Sequence, residues 1–238
     1  MPVQGGHRAD WRVMPRPLRS FEPLAIYHLI PRFVGGEWFI RSAEEREMYL
    51  KLLGHGLADS TWRCLAYAVM SNHIHLAMLA GKGKVRDWLR EPHAEFAEWI
   101  NQRNKRIGAV FVRGPGSHRI APNGVARLIG YVHRNPVRAG VVDDPRETDW
   151  TSHRAYLGDN PKPRWLDTSL GLEMAGFHDP AAMDDWVRDT DIDRNHLRDA
   201  LFRKPRRVGR PEVCPVIGSD PIVGQSTEAR SRRGRPRP

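Results

Sequence analysis

Residues 73–78, His-Ile-His-Leu-Ala-Met, alternate without a break between large apolar side chains and side chains of another kind. Period-two alternation is the mark of a strand with one buried face. Ile74, Leu76 and Met78 therefore turn to a core, while His73, His75 and Ala77 share the opposite side. A slip of one residue would exchange the two sets, so the register of this segment is tightly set. Residues 61–70, just upstream, are rich in β-formers and aromatics, and Ser71-Asn72 leaves room only for a tight connection. The two segments are expected as antiparallel neighbours, and the rest of the chain must build a sheet around them.

The remaining segments fit such a sheet. Residues 24–30, Leu-Ala-Ile-Tyr-His-Leu-Ile, form a strand candidate closed by Pro31, and Gly35-Gly36 marks a turn. Ser42 followed by Glu45 is a capping-box signature, with Met48, Tyr49, Leu52 and Leu53 giving an apolar helical face and Gly54 a natural stop. A second helix is expected from Val85 to about Arg106, carrying Trp88, Leu89, Phe96, Trp99 and Ile100 inward, with a kink at Pro92. Residues 109–112 read as a fourth strand and Gly114-Pro115-Gly116-Ser117 as irregular. Asn123 is placed to cap a third helix bearing Leu128, Ile129 and Tyr131, which should end by Pro136 or at the latest by Gly140.

This order predicts an α+β fold, a mostly antiparallel sheet with helices on one face and the histidines on the open side. Short apolar clusters after Trp150 predict a small helical appendage. The expected organisation is a basic leader (1–20), a main domain (21–145), the appendage (146–202) and a basic tail of little fixed structure (203–238).

Composition narrows the class. A chain of 238 residues, 40% hydrophobic with eight tryptophans, can build one core of about 150–200 residues plus extensions. No apolar run reaches the roughly 18 residues of a membrane span, so no membrane partner is expected, and the first residues lack the apolar core of a secretory signal. Two cysteines, Cys64 and Cys214, make neither a disulfide framework nor a four-thiolate zinc site, in keeping with a reduced cytoplasm. The net charge of +10 is unevenly placed: +7 falls in residues 203–238 and +3 in residues 1–20, leaving the body neutral. Basic arms of this kind give salt-sensitive affinity for polyphosphates, although charge runs also serve only to solvate.

Two neutral imidazoles side by side form a half-site for a divalent metal. Downstream, Tyr131 and Asn135 are four residues apart and share one helix face. Asn135 offers a carbonyl oxygen suited to Mg²⁺ or Mn²⁺ beside the histidines, leaving positions open for phosphate oxygens. Tyr131 could then act as nucleophile on a polarised phosphorus, with Arg127, Arg134 and Arg138 binding flanking phosphates. Spacing alone leaves Tyr131 equally readable as a core aromatic and the arginines as a solvated face.

Residues 68–76, Ala-Val-Met-Ser-Asn-His-Ile-His-Leu, resemble the metal-binding motif of single-tyrosine HUH transposases. Residues 131–142, Tyr-Val-His-Arg-Asn-Pro-Val-Arg-Ala-Gly-Val-Val, resemble that family's nucleophile segment more specifically still. Residues 150–156, Trp-Thr-Ser-His-Arg-Ala-Tyr, and the stretch Trp165-Leu166-Asp167 are similar to its REP-associated branch. The resemblance covers roughly residues 15–170. It implies a ferredoxin-like domain acting on single-stranded DNA with hairpins, as a monomer or homodimer associated with the nucleoid. It assigns Tyr131 as the nucleophile that becomes joined to a 5′-phosphate, and His73, His75 and Asn135 as ligands of Mg²⁺ or Mn²⁺. Residues 112–119 depart from the family's aromatic and basic segment, though Arg113, His118 and Arg119 are still DNA-contact candidates.

In the tail, Arg233-Gly234-Arg235-Pro236 is like the core of an AT-hook, which makes Arg233 and Arg235 candidates for the minor groove or for general phosphate attraction. A histidine-triad hydrolase would need a third alternating histidine, where this chain has Ala77, and a structural zinc site would need cysteines near the pair. The remaining alternative is a domesticated, non-catalytic protein that binds DNA hairpins as a regulator.

Overall fold

The hairpin forms where the alternation puts it. In a computed structural model, which describes residues 20–159 and 161–201, β1 (Ile26–Ile30), α1 (Ala43–Ala58), β2 (Arg63–Val69), β3 (Ile74–Leu79), α2 (Val85–Arg103) and β4 (Gly116–Ile120) follow in that order. The sheet order is β2-β3-β1-β4 with every neighbouring pair antiparallel, the split βαβ arrangement. Then come α3 (Val125–His133), α4 (Asn135–Arg138), α5 (His153–Leu157), α6 (Thr168–Ala175), α7 (Pro180–Asp189) and α8 (Arg194–Asp199). Residues 1–19 of the expected leader and the basic tail, with Arg233 and Arg235, lie outside the described residues.

One face of the sheet is a conventional core. Tyr27, Leu29, Ile74, Leu76 and Met78 pack with Tyr49 and Leu53 of α1 and with Trp88, Phe96 and Ile100 of α2. α1 starts at the expected capping box, in which the Ser42 hydroxyl accepts from the Glu45 N–H and the Glu45 carboxylate accepts from the Ser42 N–H. It does not stop at Gly54. A Cβ there would sit 2.6 Å from Trp165, and one at Gly56 would sit 2.1 Å from the Trp88 carbonyl, so these glycines admit close neighbours instead of ending the helix. α2 runs through Pro92 without interruption, the ring buried in the same close contact with α1.

The fourth strand is displaced from its expected place. Residues 109–112 contribute only an isolated bridge between Phe111 and Phe33, because the Phe111 ring stacks on His93 at 3.8 Å and plugs the aromatic cluster. β4 is instead the polar Gly-Ser-His-Arg-Ile, paired with β1 from Ile26↔Ile120 to Ile30↔Gly116. Nor does Asn123 cap α3: a 3-10 turn, Pro122–Gly124, leads in and makes no side-chain cap.

Helices cover both faces, not one. α3 lays Val125, Leu128, Ile129 and Val132 against Ile26, Ala66, Ala68 and Ala77, then packs outward on Met183, Val187 and Leu197. The alanines explain this second layer, since small side chains leave a shallow surface that a helix can approach closely. The segments after residue 145 also close the edges of the sheet. Along β2, the Val69 N–H donates to the Trp150 carbonyl at 2.8 Å, Ser152 to Tyr67 at 3.0 Å and Asp167 to Cys64 at 2.8 Å. At the other edge, Ala121 donates to the Ala200 carbonyl at 2.8 Å and Ile120 bridges Leu201.

A buried polar chain ties α3 to these segments. His133 Nε2 meets Ser152 Oγ at 2.9 Å, the Nδ1 atoms of His133 and His153 meet at 3.1 Å, and His153 Nε2 meets Asp184 Oδ1 at 2.9 Å. Arg146 closes the chain on Asp184. Each member has a partner, which is what makes such a line tolerable at this depth.

Candidate active site

The imidazole side of β3 is a walled cavity of about 580 Å³. β3 and its entry residue supply His75 and His73, β1 supplies His28, the last turn of α3 supplies Tyr131, and α4 supplies Asn135 and Arg138. Because Arg134 breaks the helix between α3 and α4, the four-residue spacing spans a joint, yet Asn135 Nδ2 still donates to the Tyr131 carbonyl at 2.9 Å. That bond commits the nitrogen end of the amide, so the end that can serve a cation is the carbonyl oxygen.

His73 Nε2 and His75 Nε2 lie 2.8 Å apart, and His73 Nδ1 lies 2.5 Å from Asn72 Oδ1. A third imidazole completes a row: His28 Nε2 is 2.7 Å from His75 Nδ1, with the two rings stacked at 4.9 Å. Tyr131 presents its ring edge-on to both, with centroids 5.5 Å from His75 and 5.8 Å from His28. The Arg138 guanidinium lies over the tyrosine ring at 4.9 Å, within reach of a cation–π contact.

Electrostatics keep two members of the row, His28 and His75, neutral. Burial pushes the His28 imidazole down to about 3, with His118, His73 and Arg32 adding to the effect. Burial also holds His75 well below the ordinary histidine range, reinforced by His28, His73, Arg32 and Arg138. Neutral rings with convergent nitrogens suit a divalent cation. Among the described residues no three His, Cys, Asp or Glu side chains are arranged to hold a metal. Asn135, whose side-chain oxygen is a hard donor of the kind divalent cations accept, lines the same cavity as the two imidazoles.

The structure thus brings Tyr131, His73, His75, Asn135 and Arg138 to one cavity. It places the other arginines elsewhere. Arg127 and Arg113 are exposed and are not among the cavity's walls. Arg119 pairs with Glu22 at 2.6 Å, and Arg134 Nη1 donates to the Val187 and Arg188 carbonyls at 2.9 Å, clipping the end of α7. Sequence reading missed three contributors, His28, Arg32 and Arg198, while His118, expected as a DNA-contact candidate, lines the cavity. The signal for His28 was present, a histidine on the same face as Ile26 and Ile30 of an otherwise apolar strand. The misplaced fourth strand hid that His118 pairs with His28 on β1.

No family model matches this chain, and no curated protein matches it. Among solved structures, its fold is similar to that of a REP-associated tyrosine transposase bound to a REP hairpin. The TM-score is 0.50 at 16% sequence identity, over 65% of this chain and 93% of that one. At that identity the likeness is one of fold.

Proposed function

We propose that this protein cleaves and rejoins single-stranded DNA at hairpin-forming repeats, using Tyr131 as nucleophile and a divalent metal, Mg²⁺ or Mn²⁺. The observation that carries this reading is the convergence of Tyr131, two imidazole Nε2 atoms 2.8 Å apart and Asn135 in one cavity. The similar fold of a transposase bound to a REP hairpin supports the choice of DNA hairpins as substrate class.

The cation, held by His73, His75 and Asn135, would supply charge stabilisation at a non-bridging phosphate oxygen. Tyr131 gives up its hydroxyl proton and forms the new O–P bond while the P–O3′ bond breaks. The departing 3′ oxygen takes a proton, leaving a free 3′-hydroxyl and a 5′-phosphotyrosine. A second 3′-hydroxyl reverses the step and joins a new strand with no external energy, since the phosphodiester bond is conserved. Arg138, above the tyrosine ring, is placed to steady the phosphate, and the Nδ2 bond of Asn135 to the Tyr131 carbonyl couples ligand and nucleophile positions.

The test is a covalent-adduct assay with full-length protein and a hairpin oligonucleotide carrying unpaired flanks. With Mn²⁺ or Mg²⁺, a denaturation-resistant protein–DNA species is expected, lost in Tyr131→Phe and on chelation. Tight hairpin binding with no adduct under any metal condition would replace this reading with that of a non-catalytic regulator.

A further inference from the structure

His28 is absent from the roles just given, yet it is the most tightly held member of the row, 1% exposed and 2.7 Å from His75. We infer that His28 is the positioning residue of the histidine pair, holding the His75 ring with its Nε2 toward His73 in both of the hydrogen arrangements the pair requires. This rests on the proposed metal role of His73 and His75.

The first arrangement follows from the contacts as they stand. Asn72 Oδ1 can only accept, so His73 Nδ1 carries its hydrogen and His73 Nε2 presents a lone pair. His75 Nε2 must then donate across the 2.8 Å contact, which leaves His75 Nδ1 as the acceptor for the hydrogen on His28 Nε2. The second arrangement follows from ligation. With both Nε2 lone pairs turned to a cation, the His75 hydrogen has to sit on Nδ1, and the group opposite must accept.

His28 Nε2 must therefore give a hydrogen bond in one state and take one in the other. A neutral imidazole does this by changing tautomer, its own hydrogen moving to Nδ1 through solvent with no net gain or loss of protons. His28 Nδ1 is buried with no hydrogen-bond partner among the described residues. A residue there for packing alone would be an aliphatic, which brings no orphaned nitrogen into a buried position. The position is also fixed from both sides, because β1 register sets His28 opposite Ala77 on β3 and opposite His118 on β4. No rotation of the backbone is available to turn the ring away.

The experiment uses full-length wild type, His28→Leu and His28→Gln, with Mn²⁺ affinity read by electron paramagnetic resonance and histidine tautomers by long-range ¹⁵N correlation. Wild type is expected to show the His75 hydrogen on Nε2 without metal and on Nδ1 with Mg²⁺. His28→Leu should weaken Mn²⁺ binding by about 10–100-fold while thermal unfolding shows a folded protein. His28→Gln, whose amide can present either its oxygen or its nitrogen, should recover most of that affinity. Equal Mn²⁺ affinity in wild type and His28→Leu overturns the inference, as does a His75 tautomer that ignores Mg²⁺. Should wild type bind no Mn²⁺, the proposed metal role fails. The metal-free tautomer then decides His28: a His75 hydrogen distribution unchanged in His28→Leu refutes it, and a changed one supports its positioning role. Should His28→Leu fail to fold, His28→Gln and the wild-type tautomers decide between the same outcomes.

Discussion

The two faces of one sheet divide the labour of this protein. On the α1–α2 face, β3 sets Ile74, Leu76 and Met78 into a dry cluster with Phe96 and Ile100, all of them fully buried. On the opposite face the same strand turns its histidines and Ala77 toward α3, where the walls include a cavity, a row of imidazoles and the end of a polar chain. The first face gains from every apolar area it removes from water. The second gives some of this up to its buried imidazoles, His28, His75 and His133. Among the described residues orphaned nitrogens occur on both faces, at Trp62 and Trp88 on the first and at His28 on the second, at a cost of about 1–3 kcal/mol each. Stability and chemistry are thus separated by a single pleat, and it should be possible to damage one with little harm to the other.

Acid offers the largest expected effect and acts mainly on the α3 face. Burial depresses His28 and His75, and His133 is held well below its ordinary range by burial and by His153. Unfolded, these rings take up protons as pH falls below about 6.5; folded, they refuse them. Their neutral burial is therefore harmless above that pH and increasingly destabilising beneath it, at about 1.4 kcal/mol per ring per pH unit, or roughly 4 kcal/mol per unit for the three. The α1–α2 face holds one such ring, His93, pushed down to about 3 by burial. Hydrogen exchange at pH 5.5 should show α3 amides losing protection before those of α1. Loss of α1 first, or stability that is flat between pH 7.5 and 5.5, would break the comparison.

Phe96→Ala is the complementary lesion. Phe96 is fully buried among Phe33, Tyr49 and Phe111, and its truncation should cost about 3–5 kcal/mol. The adduct formed per folded molecule should be unchanged, since Phe96 is not one of the cavity's walls and meets them through Phe33. Urea unfolding together with the adduct assay separates the two effects, and an adduct yield falling faster than the folded fraction would show that the faces are mechanically coupled.

The same division explains what could be read from the sequence. The hairpin, α1 and α2 were legible because apolar periodicity writes them directly, and the capping box at Ser42 and Glu45 gave the first turn of α1. β4 was not, because an edge strand paired through its backbone needs no apolar alternation, while Phe111 lent strand-like character to residues that plug an aromatic cluster instead. Gly54 misled because a glycine admitting Trp165 looks, in sequence, the same as one ending a helix. In the site, His73 and His75 were marked by spacing, and Tyr131 and Asn135 by the resemblance of residues 131–142. His28 stood out as a polar residue in an apolar strand, but its partner did not, since its role is set by diagonal proximity to His75, 47 residues along the chain. The arginines were least legible of all, because a guanidinium on a helix face gives no hint whether it meets phosphate, a carboxylate or a carbonyl.

Arg138 and Arg134 turn that ambiguity into the finest test of the boundary between scaffold and site. Arg138 lines the cavity and lies over Tyr131, whereas Arg134 donates from Nη1 to the two carbonyls that end α7. If Arg138 meets a phosphate, Arg138→Gln should reduce the slope of log affinity against log salt by about one for a single-stranded hairpin substrate. Arg134→Gln should leave that slope unchanged and lower thermal stability instead, by roughly 1–3 kcal/mol for the carbonyls left without their donor. Fluorescence anisotropy across a salt series reads the first effect and thermal unfolding the second. An Arg134 variant that changes the salt slope would move the DNA path outward over α7, and an Arg138 variant that does not would leave the tyrosine ring as that guanidinium's whole purpose.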